Sequence, residues 1–236
     1  MSLPLVLLPG MMCDARLYGP QIEALSSDYA LHVAPIGGHD TVQALANEIL
    51  AHAPPRFALA GLSMGGIVAM EVLAQAPERV ARLALLDTNP RAETPEFGAR
   101  RQPQIEKVKA GGLRGVMRDE MKPNYLAPGP FRNEILDLVM DMAHTLGPDV
   151  FIRQSRALQR RRDQQGTLRK CRAPTLILCG AHDALCPVKR HTFMAELIHG
   201  ADLKVIESAG HLPTLEAPDE TTQALRDWLR QPLLLR

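Results

Sequence analysis

Residues 57–70 read FALAGLSMGGIVAM, in which an apolar run leads into the pattern Gly-x-Ser-x-Gly at Gly61, Ser63 and Gly65. The apolar run is typical of a buried β-strand, and the residues after Ser63 have the pattern of an amphipathic helix. A serine on such a sharp strand-to-helix turn has a strained backbone with little room around it, and the two glycines supply that room. The pattern therefore predicts that Ser63 is a nucleophile whose hydroxyl projects from the end of the strand.

The same turn predicts a place for negative charge. Because the helix begins directly after Ser63, its positive N-terminal end faces any anion that develops at the serine. The backbone N–H of Met64 is then available as one donor to an oxyanion. The alternative is a tight turn in which Ser63 only caps the helix, because Gly-x-Ser-x-Gly is common by chance. The strand directly before the motif and the helix directly after it favour the nucleophile.

Strands and helices alternate outward from this motif in both directions. The predicted strands are residues 3–8, 29–34, 57–62, 80–86, 175–179 and 203–206, and the predicted helices are residues 41–53, 64–75, 134–144, 189–198 and 218–229. Alternation with short links indicates βαβ units and a parallel sheet, so the predicted fold class is α/β.

The middle of the chain has a different character. Between about residues 89 and 166, prolines and glycines are frequent, and helical patches replace the alternation of strands and helices. Residues 89–166 are interpreted as a helical cap insertion that stands over one edge of the sheet. The α/β core then comprises residues 1–88 and 167–236.

A serine hydroxyl needs a neighbouring base, and the best placed histidine is His211. It follows the last predicted strand, so it falls at the same carboxyl edge of the sheet as Ser63. The imidazole needs an acceptor that fixes its tautomer, and Asp183 follows the fifth predicted strand. Asp87, after the fourth strand, is the rival, because a carboxylate at either strand end can reach the histidine. The other seven histidines, His39 among them, are interpreted as surface or capping residues.

The composition limits the classes of function. The 236 residues carry a formal net charge of +1, which gives no bulk attraction to nucleic acid or to an anionic membrane. No run of 18 apolar residues predicts a membrane span, and the apolar run that ends at Pro9 is interpreted as a strand, not a signal peptide. The four cysteines form no CxxC pair, so we expect a cytoplasmic protein with reduced thiols. No phosphate loop, metal-ligand cluster or dinucleotide motif is present, so neither a metal nor a cofactor is expected.

With these residues in place, the chain resembles the α/β-hydrolase superfamily, whose triad follows the chain order Ser, Asp, His. The resemblance covers about residues 3–90 and 172–232. Asp183 lies in a motif like Gly-x-x-Asp-x-x-x-Pro, and Gly210-His211 lies in a loop like the one that carries the family's histidine. The resemblance implies an α/β-hydrolase fold, with a mostly parallel sheet of about six strands flanked by helices. Short-cap esterases, enol-lactonases and acyl-hydrolases are the subgroup that the chain resembles most.

The resemblance also implies a second oxyanion donor in the loop after the first strand. This loop reads Pro-Gly-Met-Met at residues 9–12, where the family commonly has His-Gly. The donor is a backbone N–H, so the absence of that histidine does not remove it. By position the role falls to Met11, with Met12 as the alternative.

Substrate contacts are expected from apolar and basic side chains. Met11, Met12 and Met64 would surround the nucleophile with flexible apolar surface, which suits an adaptable acyl group. In the cap, Arg153 and Arg156 share a helical face and are candidates to bind a carboxylate or phosphate of the substrate. The alternative is a solvated helix face whose arginines pair with neighbouring acids.

The predicted function is hydrolysis of a small or medium ester or thioester through an acyl-enzyme on Ser63, the chemistry of a serine hydrolase. Two alternatives stay open at this stage. One is a C–C bond hydrolase or lyase that uses the same three residues as a base, and the other is a ligand-binding member of the fold without activity. The expected partner is a small acyl substrate, and the sequence decides neither its identity nor between a monomer and a homodimer.

Overall fold

The computed structural model describes residues 3–233, and its centre is one six-stranded sheet in which all paired strands run parallel. The strands are β1 Leu5–Leu8, β2 Leu31–Val33, β3 Phe57–Leu62, β4 Val80–Leu86, β5 Thr175–Gly180 and β6 Asp202–Ile206. Their order in the sheet is β2-β1-β3-β4-β5-β6. The predicted α/β class, with a parallel sheet of about six strands, is confirmed.

The direction of chain progress reverses at the first strand. The chain places β2 on one side of β1 and then returns to build β3 to β6 on the other side. Such a reversal opens a crevice at the carboxyl ends of the two central strands, here β1 and β3. The loop with Met11 follows β1 and the turn with Ser63 follows β3, so the topology brings both to this crevice.

Burial of the sheet holds these strand ends in place. The four inner strands β1, β3, β4 and β5 are buried along their whole length, because helices cover both faces of the parallel sheet. The edge strands β2 and β6 are partly exposed. A continuous apolar run in the sequence therefore corresponds to an inner strand.

Ten α-helical segments accompany the sheet in the described residues. They are α1 Gly19–Leu25, α2 Val42–His52, α3 Met64–Gln75, α4 Pro95–Lys109, α5 Leu113–Gly115, α6 Arg132–Gln159, α7 Gln165–Lys170, α8 Val188–Leu197, α9 Pro213–Glu216 and α10 Pro218–Arg230. Short 3-10 turns lie at Ala15–Tyr18 and Lys122–Asn124, and a π-helical turn lies at Val116–Met121. None of the described helices is both long and apolar enough to cross a lipid bilayer.

The segment between β4 and β5 is helical. Residues 87–174 are all described, and they form helices and turns without a strand. The longest helix, α6, is interrupted at Gly147, whose φ of 80° is readily adopted only by glycine, directly before Pro148. These helices occupy the place expected for the cap, and the division of the chain at residues 89–166 stays a prediction.

Some elements have the predicted bounds, whereas the helix predicted at residues 134–144 is part of the longer α6, Arg132–Gln159. The elements at residues 57–62, 64–75 and 80–86 have the predicted bounds, because apolar runs and glycines mark them locally. The seven-residue helix α1 was not predicted. A helix this short is unstable alone, and α1 forms because it packs against α10.

Candidate active site

Ser63 lies on a strained turn between β3 and α3. Its backbone has φ 54° and ψ −114°, a conformation that residues with a side chain rarely adopt. Two bonds from the neighbouring strand end hold it: the Ser63 N–H donates to the Leu86 carbonyl at 2.9 Å, and Thr88 Oγ1 donates to the Ser63 carbonyl at 2.7 Å. The turn therefore has the geometry that the Gly-x-Ser-x-Gly pattern predicts.

The two glycines of the motif are required by close approach of the backbone. A Cβ atom on Gly61 would lie 2.3 Å from the carbonyl oxygen of Gly65. A Cβ atom on Gly65 would lie 2.1 Å from the carbonyl oxygen of Leu8. Both obstacles are backbone atoms of the packed core, so a larger residue at either position would displace β1, β3 or α3.

Ser63, His211 and Asp183 form one hydrogen-bonded chain. His211 Nε2 lies 2.9 Å from Ser63 Oγ, and His211 Nδ1 lies 2.7 Å from Asp183 Oδ2. The other carboxylate oxygen, Asp183 Oδ1, accepts the backbone N–H groups of Leu185 at 2.7 Å and Cys186 at 2.9 Å. The structure thus brings together the three residues proposed from sequence, which are separated by up to 148 positions.

The electrostatics of these three hydrogen-bonded residues favour transfer of a proton from Ser63 to His211. Burial disfavours the charge of Asp183, but its interaction with His211 and the hydrogen bonds it accepts outweigh burial and hold the pKa of Asp183 below its usual value. An ionised Asp183 accepts the Nδ1–H of His211, which leaves the Nε2 lone pair facing the Ser63 hydroxyl. This arrangement can activate a serine nucleophile.

Asp87, the rival acid, has a different environment. It is fully buried with a φ of 43°, and its Oδ1 accepts the N–H of Gly180 at 3.0 Å. Burial, and then the charge of Asp183, raise the pKa of Asp87 well above its usual value. Its carboxyl group is within hydrogen-bonding reach of Asp183. Asp87 therefore lies behind the acid that contacts His211, as a protonated neighbour.

One carboxylate holds the loop that carries His211. Glu216 accepts the backbone N–H groups of Gly210 at 2.9 Å, Leu212 at 2.8 Å and Ala127 at 2.7 Å. Because Gly210 and Leu212 flank His211, these bonds fix the position of the imidazole. The sequence motif around His211 contains Glu216, but its role depends on a partner 89 positions away and was not predicted.

The segment between β4 and β5 also reaches the histidine. The His211 N–H donates to the Tyr125 carbonyl at 2.6 Å, and the two rings lie 5.7 Å apart between centroids with a tilt of 46°. Tyr125 is buried, which raises the pKa of its phenol. The helical segment therefore forms one wall of the site as well as covering it.

Two backbone amides near Ser63 are free to bind an anion. Met64 begins α3, so its N–H has no acceptor within the helix. Within residues 3–233, neither the Met64 nor the Met11 amide donates a hydrogen bond. The Met12 amide differs, because it donates to Gln154 Oε1 at 2.9 Å. Of the two candidates in this loop, Met11 is the one whose amide is available.

Gln154 ties the loop after β1 to the long helix α6. Its side chain is buried, with Oε1 on the Met12 amide and Nε2 donating to the Ile36 carbonyl at 3.1 Å. It therefore joins two loops at the carboxyl edge of the sheet. A glutamine in a helix of mixed polarity gives no local signal for this role, and sequence reasoning did not find it.

A cavity of about 710 Å³ opens at Ser63 and His211. Its apolar lining includes Met11, Met64, Ile67, Met121, Leu158 and Phe193. A volume of this size is typical of sites for small molecules, which occupy roughly 300–1,000 Å³.

The structure does not bring Met12, Arg153 or Arg156 to this cavity, whose lining is drawn from residues 3–233. Met12 is fully buried, and Arg153 Nε donates to the Gly37 carbonyl at 2.7 Å. The spacing of the arginines identifies a helix face correctly, but it does not say which way that face turns. Other basic residues line the cavity.

The histidines outside the site divide into two kinds. His39 lies 3.6 Å from Glu48, measured between Nε2 and Oε2, while Thr41 Oγ1 accepts the N–H that caps α2. His191 contradicts the expectation of a surface or capping residue, because it is fully buried and its Nε2 accepts the Thr88 N–H at 3.0 Å. Helix α8 is only weakly amphipathic, so its sequence does not reveal that this face packs inward.

Asp183, Cys186 and His211 offer possible metal-ligand atoms within 4.8 Å of one another. Asp183 and His211 are already hydrogen-bonded to each other. Burial raises the pKa of the Cys186 thiol, which keeps it protonated, whereas a metal ligand must be a thiolate. The group fits a hydrogen-bonded triad better than a metal site.

Comparison with known proteins identifies the family. The family described as "Alpha/beta hydrolase family" matches residues 5–224. The chain belongs to the alpha/beta hydrolase family. This α/β-hydrolase carries its Ser, Asp and His in the order that the family uses.

Several proteins similar to this α/β-hydrolase are named as esterases or lactonases. It is 28% identical to the pimeloyl-[acyl-carrier protein] methyl ester esterase of Xanthomonas oryzae pv. oryzae, over 94% of this chain and 93% of that protein. The structure of a thermophilic esterase from Thermogutta terrifontis with malate bound is 30% identical, with a TM-score of 0.88 over 98% of this chain and 90% of the other. The enol-lactonase from Burkholderia xenovorans LB400, 23% identical, has the same fold with a TM-score of 0.85 over 98% of this chain and 93% of its own. The resemblance to esterases and enol-lactonases is confirmed.

Proposed function

We propose that this α/β-hydrolase is a serine hydrolase that cleaves a small or medium ester or thioester through an acyl-enzyme on Ser63. The observation that carries the proposal is the unbroken hydrogen-bonded chain from Ser63 Oγ through His211 to Asp183, beside a cavity of about 710 Å³. The named esterases among its relatives support the same class of reaction.

In the first half of the reaction, Ser63 Oγ attacks the carbonyl carbon of the ester while His211 Nε2 takes the hydroxyl proton. The carbonyl oxygen becomes an anion that the Met11 and Met64 amides bind, and loss of one such donor costs about 3 kcal/mol of transition-state stabilisation. The bond to the leaving alcohol or thiol then breaks, His211 gives it the proton, and the acyl group stays on Ser63.

In the second half, water takes the place of the leaving group. His211 removes a proton from the water, whose oxygen attacks the acyl carbon, and the same two amides bind the second oxyanion. The ester bond to Ser63 then breaks, and the serine recovers its proton from His211. Throughout, the ionised Asp183 stabilises the positive charge that His211 gains.

The residues that line the cavity favour an apolar acyl group, and their flexibility allows acyl groups of different shapes. Met11, Met64 and Met121 line it, and methionine side chains are flexible and polarisable. A series of p-nitrophenyl esters and acyl-CoA thioesters of increasing chain length measures this directly. The best acyl length and the preferred leaving group follow from kcat/KM along the two series.

Replacement of the nucleophile tests the proposal. We expect Ser63→Ala to lower kcat for p-nitrophenyl butyrate by about 10⁶-fold, because the triad acts as one unit. The matched control is Ser26→Ala, which removes an exposed hydroxyl far from the cavity. Turnover that survives in Ser63→Ala at the level of the control would overturn the assignment.

A labelling experiment tests the acyl-enzyme chemistry without a substrate. A fluorophosphonate probe reacts with an activated serine, so we expect one covalent adduct on the peptide that contains Ser63. His211→Ala should prevent labelling, because the hydroxyl then lacks its base. An adduct elsewhere, or labelling that His211→Ala leaves unchanged, would contradict the proposed mechanism.

A further inference from the structure

The cavity beside Ser63 has an excess of basic side chains. Its lining contains five basic residues and one acidic residue, whereas the whole chain has a formal net charge of only +1. The basic residues are Arg91, Arg101, Arg161, Lys189 and Arg190, and the acidic residue is Glu93. Positive charge is therefore concentrated at the site and is not a property of the surface as a whole.

Two of these arginines form part of the cavity wall. Arg161 Nη1 lies 2.9 Å from Glu93 Oε1, and Arg101 binds the same carboxylate through its Nε. The side chains of Glu93 and Arg161 are 5% and 9% exposed, so this group is largely withdrawn from water. Two guanidinium charges share one carboxylate, so the wall itself remains positive.

The other three basic residues, Arg91, Lys189 and Arg190, form what we call the cationic mouth. Within residues 3–233, none of the three lies within 4.0 Å of a carboxylate oxygen. Uncharged groups hold two of them instead. The Arg91 guanidinium lies 4.8 Å from the centre of the Phe193 ring, and Arg190 Nη1 donates to the Leu185 carbonyl at 3.2 Å. Their charges are available to a ligand.

The position of two of these residues is unfavourable for folding. Lys189 and Arg190 lie in the first turn of α8, which contains no acidic residue. The N-terminal end of a helix is positive, so cations there are repelled and anions are attracted. Neither side chain is part of the buried core. An anion bound at the cationic mouth would relieve this repulsion.

We infer that the substrate carries an ionised acid group, a carboxylate or a phosphate, in addition to the bond that is cleaved, and that the cationic mouth binds this group. The inference rests on the proposed function, because it takes Ser63 as the point of cleavage. Arginine can bind either acid through two parallel N–H donors, and lysine binds either as a point charge. The apolar lining then accommodates the chain between the acid group and the ester.

A matched set of substrates tests the inference. Methyl hexanoate and monomethyl adipate have the same chain length, but the second ends in a carboxylate, and methyl 5-phosphonopentanoate ends in a phosphonate. Acid release is followed by titration at constant pH. We expect kcat/KM for the better charged ester to exceed that for methyl hexanoate by about tenfold or more, the effect of a charge-assisted hydrogen bond. Comparison of kcat/KM for the carboxylate ester and the phosphonate ester shows which acid group is preferred.

The ratio of kcat/KM for the charged ester to kcat/KM for the neutral ester isolates the contribution of the cationic mouth. In the double variant Lys189→Gln, Arg190→Gln we expect this ratio to fall about tenfold, and effects common to both substrates cancel. Lys204→Gln is the matched control, since Lys204 is exposed on β6 away from the cavity. Raising NaCl from about 10 mM to 1 M should also lower the wild-type ratio, as the screening length falls from about 30 Å to 3 Å.

Two results would overturn the inference. One is equal kcat/KM for charged and neutral esters in the wild type, and the other is a ratio that the double variant leaves at the control value. Calorimetric titration of Ser63→Ala with the three esters separates this failure from failure of the proposed function. If Ser63→Ala binds a charged ester more tightly than the neutral one but the wild type hydrolyses none of the three, only the proposed function is contradicted. If the wild type hydrolyses all three esters without preference, only the inference is contradicted.

Discussion

The buried carboxyl group of Asp87 lies within hydrogen-bonding reach of the carboxylate of Asp183, at the ends of the adjacent strands β4 and β5. Burial and the neighbouring charge raise the pKa of Asp87, and the partners of Asp183 lower its own pKa. Asp87 therefore carries a proton, and Asp183 is ionised. Of these two acids, Asp183 is the hydrogen-bond acceptor of His211, and Asp87 is its buried, protonated neighbour.

This division of roles predicts opposite outcomes for two similar substitutions. Asp183→Asn should lower kcat by about 10⁴-fold, because an amide cannot stabilise the charged His211 or fix its tautomer. Asp87→Asn should lower kcat by less than about tenfold, a barrier change below about 1.4 kcal/mol. Its amide can still donate to Asp183 and accept the N–H of Gly180. Steady-state hydrolysis of p-nitrophenyl butyrate measures both variants, and the reverse ranking would give the acid role to Asp87.

The three hydrogen bonds that Glu216 accepts predict that the position of the His211 loop depends on this carboxylate. Glutamine at this position keeps one acceptor oxygen but turns an NH₂ group toward a backbone N–H. At least one of the amides of Gly210, Leu212 and Ala127 then loses its acceptor. We expect Glu216→Gln to lower the free energy of unfolding by about 1–3 kcal/mol. We also expect a lower kcat, because the imidazole of His211 is less well held.

Urea denaturation and steady-state kinetics measure these two effects. The matched control is Glu207→Gln, which makes the same change at an exposed position shortly before the histidine loop. A Glu216→Gln protein as stable and as active as this control would show that the three backbone bonds do not position His211.

The parts of this molecule that sequence reveals are those with local signals. The strand at Phe57–Leu62 and the helix at Met64–Gln75 have the bounds that an apolar run and two glycines indicate. His211 and Asp183 could be placed beside Ser63 because parallel strands all direct their carboxyl ends to one edge of the sheet. Fold and triad follow from rules that need no knowledge of distant contacts.

The contacts that complete the site lack such signals. Each depends on a partner far away in the chain, and helix periodicity does not say which face turns toward Ser63. The pairs are Glu216 with Ala127, Gln154 with Met12 and His191 with Thr88, separated by 89, 142 and 103 positions. For the same reason Arg153 and Arg156 were expected at the substrate, whereas Arg101 and Arg161 line the cavity.

The hydrogen bond between Gln154 and the Met12 amide predicts that the long helix α6 influences the position of the oxyanion donors. Gln154→Leu keeps the volume of the side chain but leaves the buried Met12 N–H without an acceptor, so the Met11 amide next to it is less well placed. Complete loss of one oxyanion donor lowers kcat by about 10²–10³-fold, and displacement should have a smaller effect of about tenfold. Because the loss falls on the transition state, kcat and kcat/KM should decrease together.

The control for this variant is Gln159→Leu, on the same helix, whose side chain donates to the Gly98 carbonyl at 3.0 Å. Kinetics with p-nitrophenyl butyrate compare the two proteins. A rise in KM with kcat unchanged in Gln154→Leu would mean that the glutamine supports substrate binding and not the oxyanion donors.

His191 predicts a dependence of stability on pH. It is fully buried, and burial lowers its pKa from 6.5 to about 4. Between these values the unfolded chain binds a proton that the folded protein does not bind. The free energy of unfolding therefore falls as the pH is lowered through 6.5, and this contribution stops changing below about pH 4.

His191→Gln should remove this component, because glutamine can accept the Thr88 N–H without titrating. A shift of this size corresponds to about 3 kcal/mol, since each pKa unit is about 1.36 kcal/mol. Urea denaturation between pH 7.5 and 4 should therefore show wild type losing about 3 kcal/mol more than the variant on acidification. His52→Gln, at an exposed histidine, is the control and should follow wild type. Parallel stability curves for wild type and His191→Gln would mean that the pKa of His191 is the same in the folded and the unfolded protein.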